Sequence, residues 1–357
     1  MNRLILIFAF SAFIAGFVCT SSECYGVQIN FDYNSIGSND ADAALAFATE
    51  QWASEFNDDI TINLHFSFAN LGGGALSQAL SAHESTTYSQ FWDATRADRT
   101  SGDDFTFHNG LSTGTSFSVY INRTNEASGQ FGETPYVDND GGRNNTTVRL
   151  TTANAKALGL RSAHDNLTDA SIVFNSSFAW DFDRSDGIDS NAFDFAGIAM
   201  HEIGHALGFE SGVDILDGSL GAFNSDDDFD VVSSIDFLRF SSDSEGAGAD
   251  IDFTADNRSK YFSIDGGLTV ALDGGSHWST GVAYGDGEQA SHWRDGLGIL
   301  EPTSNPGELH DISSLDIQTF DVIGYDRSFA AVPEPSSIVG LILLSSCLLR
   351  RRRRINC

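Results

Sequence analysis

A short run of residues near the middle of the chain has the side chains needed to bind a metal ion and activate water. His201 and His205 are four residues apart, and a helix brings residues at that spacing to one face, so both imidazoles can reach one ion. Glu202 follows the first histidine, where its carboxylate could take a proton from a metal-bound water. The spacing predicts a zinc site in which Glu202 is the general base.

The surrounding residues predict the helix that must position these side chains. The segment before His201 is apolar, as a buried helix requires. Asp194 is suited to cap the start of the helix, and Gly208 can end it in the left-handed conformation. We therefore predict a buried helix from Asp194 to Leu207.

The string from His201 to Phe209, with glycines at 204 and 208, resembles the metzincin metallopeptidases. In that family the second glycine turns the chain, so that the residue three positions further on is the third metal ligand. Here that residue is Ser211, and a neutral serine is a poor zinc ligand. The third ligand must therefore be sought elsewhere in the chain.

The leishmanolysin-like branch of the metzincins has an inserted segment before its third histidine. Two histidines follow such a segment here, His277 and His292, each within Ser-His-Trp. We favour His292, because it stands eight residues before Leu300 in a segment that resembles the tight turn carrying a methionine beneath the zinc in metzincins. His277 is the alternative, and Asp214 and Glu210 are weaker candidates.

The resemblance thus implies that zinc is held by His201, His205 and His292. Leu300 would take the place of the methionine, a substitution that conserves volume.

The order of elements predicts an α/β (α+β) fold, a metzincin-like single catalytic domain over residues 25–330. It would contain a twisted mixed sheet, the active-site helix, a C-terminal helix and a long insertion at about residues 213–275, after the active-site helix. Alternating apolar residues predict strands at 28–31, 60–68, 101–122, 170–174 and 235–240. Helical spacing predicts helices at 40–56, 152–158 and 313–325. The metzincin resemblance, which covers about residues 28–326, implies that 170–174 is the cleft-edge strand that pairs with extended substrate.

Charge and cysteine usage exclude several classes of protein. The chain has 50 acidic and 19 basic residues, a net charge of −31, and such a surface repels nucleic acid, so no nucleic-acid partner is expected. All four cysteines lie near the ends, at 19, 24, 347 and 357. The body between them therefore has neither a disulfide framework nor a thiolate ligand.

Both ends of the chain look like targeting segments. Residues 1–24 have the basic start, apolar run and small residues of a secretory signal peptide. Residues 332–357 combine Val-Pro-Glu-Pro-Ser, an apolar stretch and five arginines, and resemble the PEP-CTERM sorting signal of Gram-negative bacteria. That resemblance implies transient membrane contact and an exosortase-type processing enzyme as a partner, and the alternative is an ordinary C-terminal membrane anchor. Under either interpretation the body is exported, to be secreted or held at the cell surface or extracellular matrix.

Two acidic loops are candidates for a structural calcium ion. Acids alternate along residues 181–189 as in a calcium-binding loop, although the glycine is one place late for an EF-hand. Residues 138–140 are a second candidate. An ordinary turn is the alternative at both positions.

These features together predict a secreted or surface-sorted zinc endopeptidase that hydrolyses protein or peptide substrates. One alternative is a gluzincin-type peptidase with a glutamate as the third ligand, but the helical Glu-x-x-x-Asp expected of that class is absent from the insertion. The other alternative is a surface adhesion or matrix protein that keeps a catalytically impaired metzincin fold.

Overall fold

The computed structural model describes residues 26–34, 39–219, 224–269 and 277–328. The predicted export signal at 1–24 and sorting signal at 332–357 lie outside the described residues. Within the described ranges, no helix is both long and apolar enough to cross a membrane.

The α-helices in the described ranges are α1 (Asn39–Glu55), α2 (Tyr88–Ala97), α3 (Gly102–Gly110), α4 (Arg143–Thr146), α5 (Thr152–Ala157), α6 (Phe195–Leu207), α7 (Val213–Gly218), α8 (Ser242–Ala247) and α9 (Ser314–Val322). The strands are β1 (Gln28–Asn34), β2 (Thr61–Ala69), β3 (Ser77–Ser81), β4 (His83–Thr87), β5 (Val119–Ile121), β6 (Tyr136–Asp138), β7 (Thr147–Thr151), β8 (Ala170–Asn175), β9 (Trp180–Asp181), β10 (Phe193–Asp194), β11 (Arg239–Phe240), β12 (Ile251–Asp252) and β13 (Tyr261–Phe262).

A four-stranded mixed sheet supports the site. Its strand order is β1-β2-β8-β3, with the first three strands parallel and β3 antiparallel to β8. Ile62, Leu64 and Phe66 alternate along β2 and are buried on one face of the sheet. The predicted mixture of helices with a mixed sheet is confirmed at this level.

Helix α6 lies in the core, as its sequence predicts. Of its thirteen residues only His201 is not classed as buried. The indole nitrogen of Trp52, in α1, donates a hydrogen bond of 2.8 Å to the carbonyl of Met200 and so joins the two helices. Asp194 occupies the N-cap position and Gly208 ends the helix with a φ of 129°, a backbone conformation that residues with a side chain rarely adopt. The predicted ends of the helix are confirmed.

The predicted strand at 101–122 is wrong over its first half. Ser101 and Asp104 form a capping box, which starts helix α3, and only β5 near the end of the segment is a strand. Phe105 and Phe107 gave the period-two signal, but two residues correspond to about 200° around a helix, so one is exposed and the other buried. The predicted strand at 235–240 is likewise mostly a 3₁₀ turn (Ile235–Leu238), followed by the short strand β11.

The cleft-edge strand was also predicted wrongly. β8, which contains Ala170–Phe174, pairs with β2 on one side and β3 on the other, so its backbone groups are already used within the sheet. The edge strand is β3, whose sequence Ser-Gln-Ala-Leu-Ser is largely polar and lacks strong strand-forming residues.

The segment that follows α6 contributes to the same core. Ile251 in β12 pairs with Val119 in β5, across more than a hundred residues of chain. The ring of Phe237 lies 4.9 Å from that of Phe117 and 5.2 Å from that of Phe91, measured between ring centroids. The aspartates and serines of this segment lie between apolar residues that fill the interior beside α2.

Candidate metal centre

Three histidine side chains converge at one point in the structure. The Nε2 atoms of His201 and His205 are 3.0 Å apart, those of His205 and His292 are 3.2 Å apart, and those of His201 and His292 are 3.3 Å apart. Nitrogens that ligate a tetrahedral zinc at about 2.05 Å lie about 3.3 Å from one another. The three ligand atoms therefore have the spacing of three corners of a zinc coordination sphere.

The opposite ring nitrogens orient the imidazoles. The Nδ1 atom of His201 lies 2.8 Å from the carbonyl of Ile299, and that of His205 lies 2.7 Å from the carbonyl of Phe209. The Nδ1 atom of His292 is 3.3 Å from the carbonyl of Gln289. A carbonyl accepts only, so each Nδ1 carries the proton and each Nε2 directs its lone pair to the common point.

Burial keeps the three imidazoles neutral. It lowers the pKa of His201 to about 4 and lowers the pKa of His205 and of His292, the last well below its ordinary value. The proximity of the other rings lowers the pKa of His205 and His292 further. Neutral imidazole is the form that binds a metal ion, so no proton has to be displaced near neutral pH.

His292 reaches the centre because buried carboxylates hold its neighbours. Asp214 accepts hydrogen bonds from the backbone amides of Ala290, at 2.6 Å, and Ser291, at 3.1 Å. Asp316, at the start of α9, accepts from the indole of Trp293 at 2.8 Å. The segment on both sides of His292 is thus attached to two helices.

Leu300 lies directly beneath the histidine helix. A Cβ placed on Gly204 would come within 3.0 Å of both methyl carbons of Leu300, so the glycine allows the turn to pack against α6. Asp316 also accepts from the amide of Ile299 at 2.9 Å, which ties the same turn to α9. Apolar packing beneath the cluster is therefore present with leucine at this position.

Glu202 faces the same cleft and is joined to the edge strand. Its carboxylate accepts a hydrogen bond of 2.5 Å from the hydroxyl of Ser77. Burial raises its pKa, although nearby His205 and the hydrogen bond from Ser77 oppose that effect. A carboxylate with a raised pKa is a stronger proton acceptor than an ordinary one.

The other candidate ligands lie outside the cluster. Ser211 donates its hydroxyl to Asp236 at 2.5 Å, and the Nδ1 atom of His277 accepts from the amide of Phe262 at 2.9 Å. Glu210 accepts hydrogen bonds from the hydroxyl of Ser81 and the imidazole of His83. Asp214, predicted as a weak ligand, instead holds the chain beside His292.

A cleft of about 730 Å³ gives access to the histidines and Glu202. β3 forms one wall and the polar face of α6 forms the floor. The segment 299–304 and His310 form the opposite side.

Several residues of this site were not predicted from sequence. Asp316 and Ser77 act through contacts with residues far away along the chain, and no local pattern distinguishes them from other aspartates and serines. Asp316 does, however, form a capping box with Ser313, and that signal predicts its place at the start of α9.

The predicted calcium sites are not preformed. In the loop 181–189, Asp181 accepts from the amides of Asp183 and Asp189, and Asp183 accepts from the amide of Ser185. Across the described ranges, the three histidines are the one group of at least three His, Cys, Asp or Glu side chains close enough to share an ion. Structural calcium at 181–189 or 138–140 therefore remains a prediction.

The cluster can hold a metal ion through His201, His205 and His292, and Glu202 shares its cleft. Three neutral imidazoles form a donor set that suits zinc and also other transition metals. In comparisons with known proteins, no family model, no curated protein and no solved structure matches this chain.

Proposed function

We propose that this protein is a zinc-dependent endopeptidase that hydrolyses peptide bonds in protein or peptide substrates. The observation that carries the proposal is the convergence of three Nε2 atoms to within 3.3 Å of one another, in a cleft that also contains Glu202. Three protein ligands leave a fourth position for water or substrate, which is typical of catalytic rather than structural zinc sites. A structural site would be closed by a fourth protein ligand.

The donor set supports zinc as the ion. Zinc held by three neutral imidazoles supplies a Lewis acid that polarises a carbonyl group and makes water more acidic. His201, His205 and His292 would hold it, each imidazole oriented by its carbonyl partner.

Glu202 would act as the proton carrier. Its buried carboxylate would take a proton from the attacking water and deliver it to the leaving amine, and its hydrogen bond with Ser77 holds it at the wall of the cleft. Loss of the negative charge at this position removes the base but leaves the shape of the side chain.

The edge strand would bind the substrate. The backbone amide of Asn175 donates to the carbonyl of Leu76, and the backbone amide of Ala82 donates to the carbonyl of Asp169. Since hydrogen bonding alternates along an antiparallel strand, the backbone groups of Ser77, Ala79 and Ser81 point away from β8 into the cleft. An extended peptide can add to this edge as a further strand.

Replacement of Glu202 by glutamine tests this function. We expect Glu202→Gln to retain one zinc per chain but to lose at least about 100-fold in its rate of hydrolysis of unfolded casein, because glutamine cannot accept the proton. Zinc content by elemental analysis and casein cleavage should be measured on the same samples. Equal activity of Glu202→Gln and the unmodified protein would refute the mechanism. A zinc-loaded protein without any peptidase activity would instead support the adhesion or matrix alternative.

The gluzincin alternative has no support in the geometry. The third member of the cluster is the imidazole of His292, and no carboxylate of the described residues joins it.

We also propose that the protein is exported and then secreted or retained at the surface of a Gram-negative bacterium. The support is the signal-like segment 1–24 and the segment 332–357, which resembles a sorting signal that an exosortase-type enzyme would process. The mass of the protein recovered outside the cell would give both cleavage sites.

A further inference from the structure

The charged side chains that line the cleft differ in whether they have partners. Among the described residues that line the cleft, four are acids, and each already accepts hydrogen bonds: Glu202 from Ser77, Glu210 from Ser81 and His83, Asp214 from Ala290 and Ser291, and Glu301 from Gly296 and His310. Among the described residues, Arg149 is the one lysine or arginine in the lining of the cleft. Its guanidinium forms no hydrogen bond or ion pair with any residue in the described ranges, and only its backbone amide is bonded, to Val232.

Other arginines of the described residues also lack a carboxylate partner, but the guanidinium groups of Arg99, Arg123 and Arg239 contact an aromatic ring or a backbone carbonyl instead. A guanidinium presents five donors in a planar fork that matches a carboxylate, and it remains charged at any physiological pH. Arg149 is half-buried, so a carboxylate that reached it would be partly shielded from water. The cleft therefore contains a cation able to bind an acidic group from outside the chain.

Arg149 lies at a defined end of the cleft. Arg149 in β7 is paired with Ser85 in β4. Ser85 is two residues from His83 on the same strand, so the side chains of Arg149 and His83 project from the same face of the pair. His83 contacts Glu210, which is 2.5 Å from Ser81 at the end of β3. Beyond these residues the cleft continues into a small recess lined by Arg149, His83, Glu210 and Ser211.

The direction of β3 relates this end of the cleft to the scissile bond. Ser77, at the start of β3, contacts Glu202, whereas Ser81, at its end, contacts Glu210 near Arg149. A peptide paired antiparallel to β3 runs from the Ser81 end towards the Ser77 end. Its residues near Arg149 precede the bond to be cut by roughly two to four positions, at about 3.4 Å per residue.

We propose that Arg149 forms a subsite for an acidic side chain of the substrate, on the N-terminal side of the scissile bond. This inference rests on the proposed peptidase function and specifies its substrate class: chains with glutamate or aspartate a few residues before the cleavage site. The neighbouring Glu210 forms no ion pair with Arg149 and accepts from Ser81 and His83 instead.

The test uses pairs of fluorogenic peptides that differ only by glutamate or glutamine, placed in turn at four positions on each side of one cleavable bond. For the unmodified zinc-loaded protein, we expect glutamate to raise kcat/KM by about tenfold at one position before the bond, as a charge-assisted hydrogen bond provides. Arg149→Met should bring that ratio to about one, and Arg149→Lys should retain part of it. The matched control is Arg96→Met, which removes an exposed arginine that lies over Trp92 outside the cleft and should leave the ratio intact.

Binding of the same peptides to zinc-loaded Glu202→Gln separates this inference from the function on which it rests. Tighter binding of the glutamate peptide, abolished by Arg149→Met, would support the subsite even if the unmodified protein cleaved nothing and the peptidase proposal had failed. Cleavage with equal rates for glutamate and glutamine at every position would overturn the subsite alone. An unchanged preference for glutamate in Arg149→Met would also overturn the subsite. If the peptides are neither cleaved by the unmodified protein nor bound by Glu202→Gln, both proposals fail.

Discussion

The imidazoles of the histidine cluster owe their orientation and tautomer to contacts on the side away from the cluster. Carbonyls of Ile299, Phe209 and Gln289 accept the Nδ1 protons, so the lone pairs of the Nε2 atoms are directed inward. His277 has the same Ser-His-Trp surroundings in sequence as His292 but accepts a hydrogen bond from Phe262 instead. The local sequence therefore does not explain why His292 joins the cluster and His277 does not.

Replacement of each of these two histidines by alanine tests that distinction. We expect His292→Ala to lower zinc affinity by at least about 100-fold, since loss of a ligand should exceed the effect of losing an outer hydrogen-bond partner. His277→Ala should retain zinc, with lower thermal stability because a buried hydrogen bond is lost. Zinc affinity by competition with a chelator and unfolding midpoints would check both variants. Full zinc binding by His292→Ala would exclude it as the third ligand.

At the level of elements, the edge strand β3 lines the cleft and contacts Glu202. The amide of Ala79 belongs to the set that faces the cleft, whereas the amide of Leu80 belongs to the set that faces β8. The side chain of Leu80 is 55% exposed, so a substitution there disturbs mainly the backbone. The amide of Ala79 is therefore directed to the cleft, and the amide of its neighbour Leu80 to the sheet.

Proline substitutions at these two positions should separate the roles, because proline removes the amide hydrogen. Ala79→Pro should lower kcat/KM for extended peptides by about tenfold or more, because an outward donor is lost, with a small change in stability. Leu80→Pro should mainly destabilise the protein, by about 3 kcal/mol, because it removes a hydrogen bond within the sheet. Peptide hydrolysis and denaturant unfolding should be compared for the pair. Equal loss of stability in both variants would contradict the assignment of the outward-facing groups.

At the level of the whole molecule, a group of aspartates lies together near the end of the described chain. Asp58, Asp98, Asp104, Asp321 and Asp326 lie close together beside α3 and α9. Burial and the neighbouring aspartates raise the pKa of Asp58 to about 7, that of Asp98 to about 9 and that of Asp321 to about 7. Arg327 opposes the shift at Asp321.

These shifts predict that stability falls as the pH rises. An aspartate whose pKa is higher in the folded state than in the unfolded state stabilises the fold below about pH 4, and that contribution is lost as the pH rises through the folded value. The unfolding midpoint should therefore decrease from pH 7 to pH 9, above the range in which the buried histidines, whose pKa values are lowered, act in the opposite direction. Asp98→Asn should reduce this slope and raise stability at pH 8 by at least about 1 kcal/mol.

Asp93→Asn is the matched control, because Asp93 is exposed on α2 and its replacement should change stability by less than about 0.5 kcal/mol. Thermal unfolding of the three proteins across this pH range gives the comparison. A midpoint independent of pH, or the same effect from both variants, would show that the cluster does not control stability.

The sequence predicted those parts of the fold that depend on local pattern. The bounds of α6, the helices at 152–158 and 313–325 and the strands at 60–68 and 170–174 follow from periodicity and capping residues. Period-two phenylalanines misled the prediction at 101–122, because the capping box of Ser101 and Asp104 was the stronger local signal. The edge strand β3 was missed, because it is polar and acquires its conformation by pairing with β8.

By itself, the sequence determined the helix with His201, Glu202 and His205, since a spacing of four residues sets one face of a helix whatever surrounds it. It also identified His292 by resemblance, but without a physical reason to exclude His277. Only the tertiary structure brought the Nε2 atom of His292 to within 3.3 Å of that of His201, across 91 residues. The reason is that the anchors of His292, through Asp214 and Asp316, are long-range contacts that no local pattern encodes.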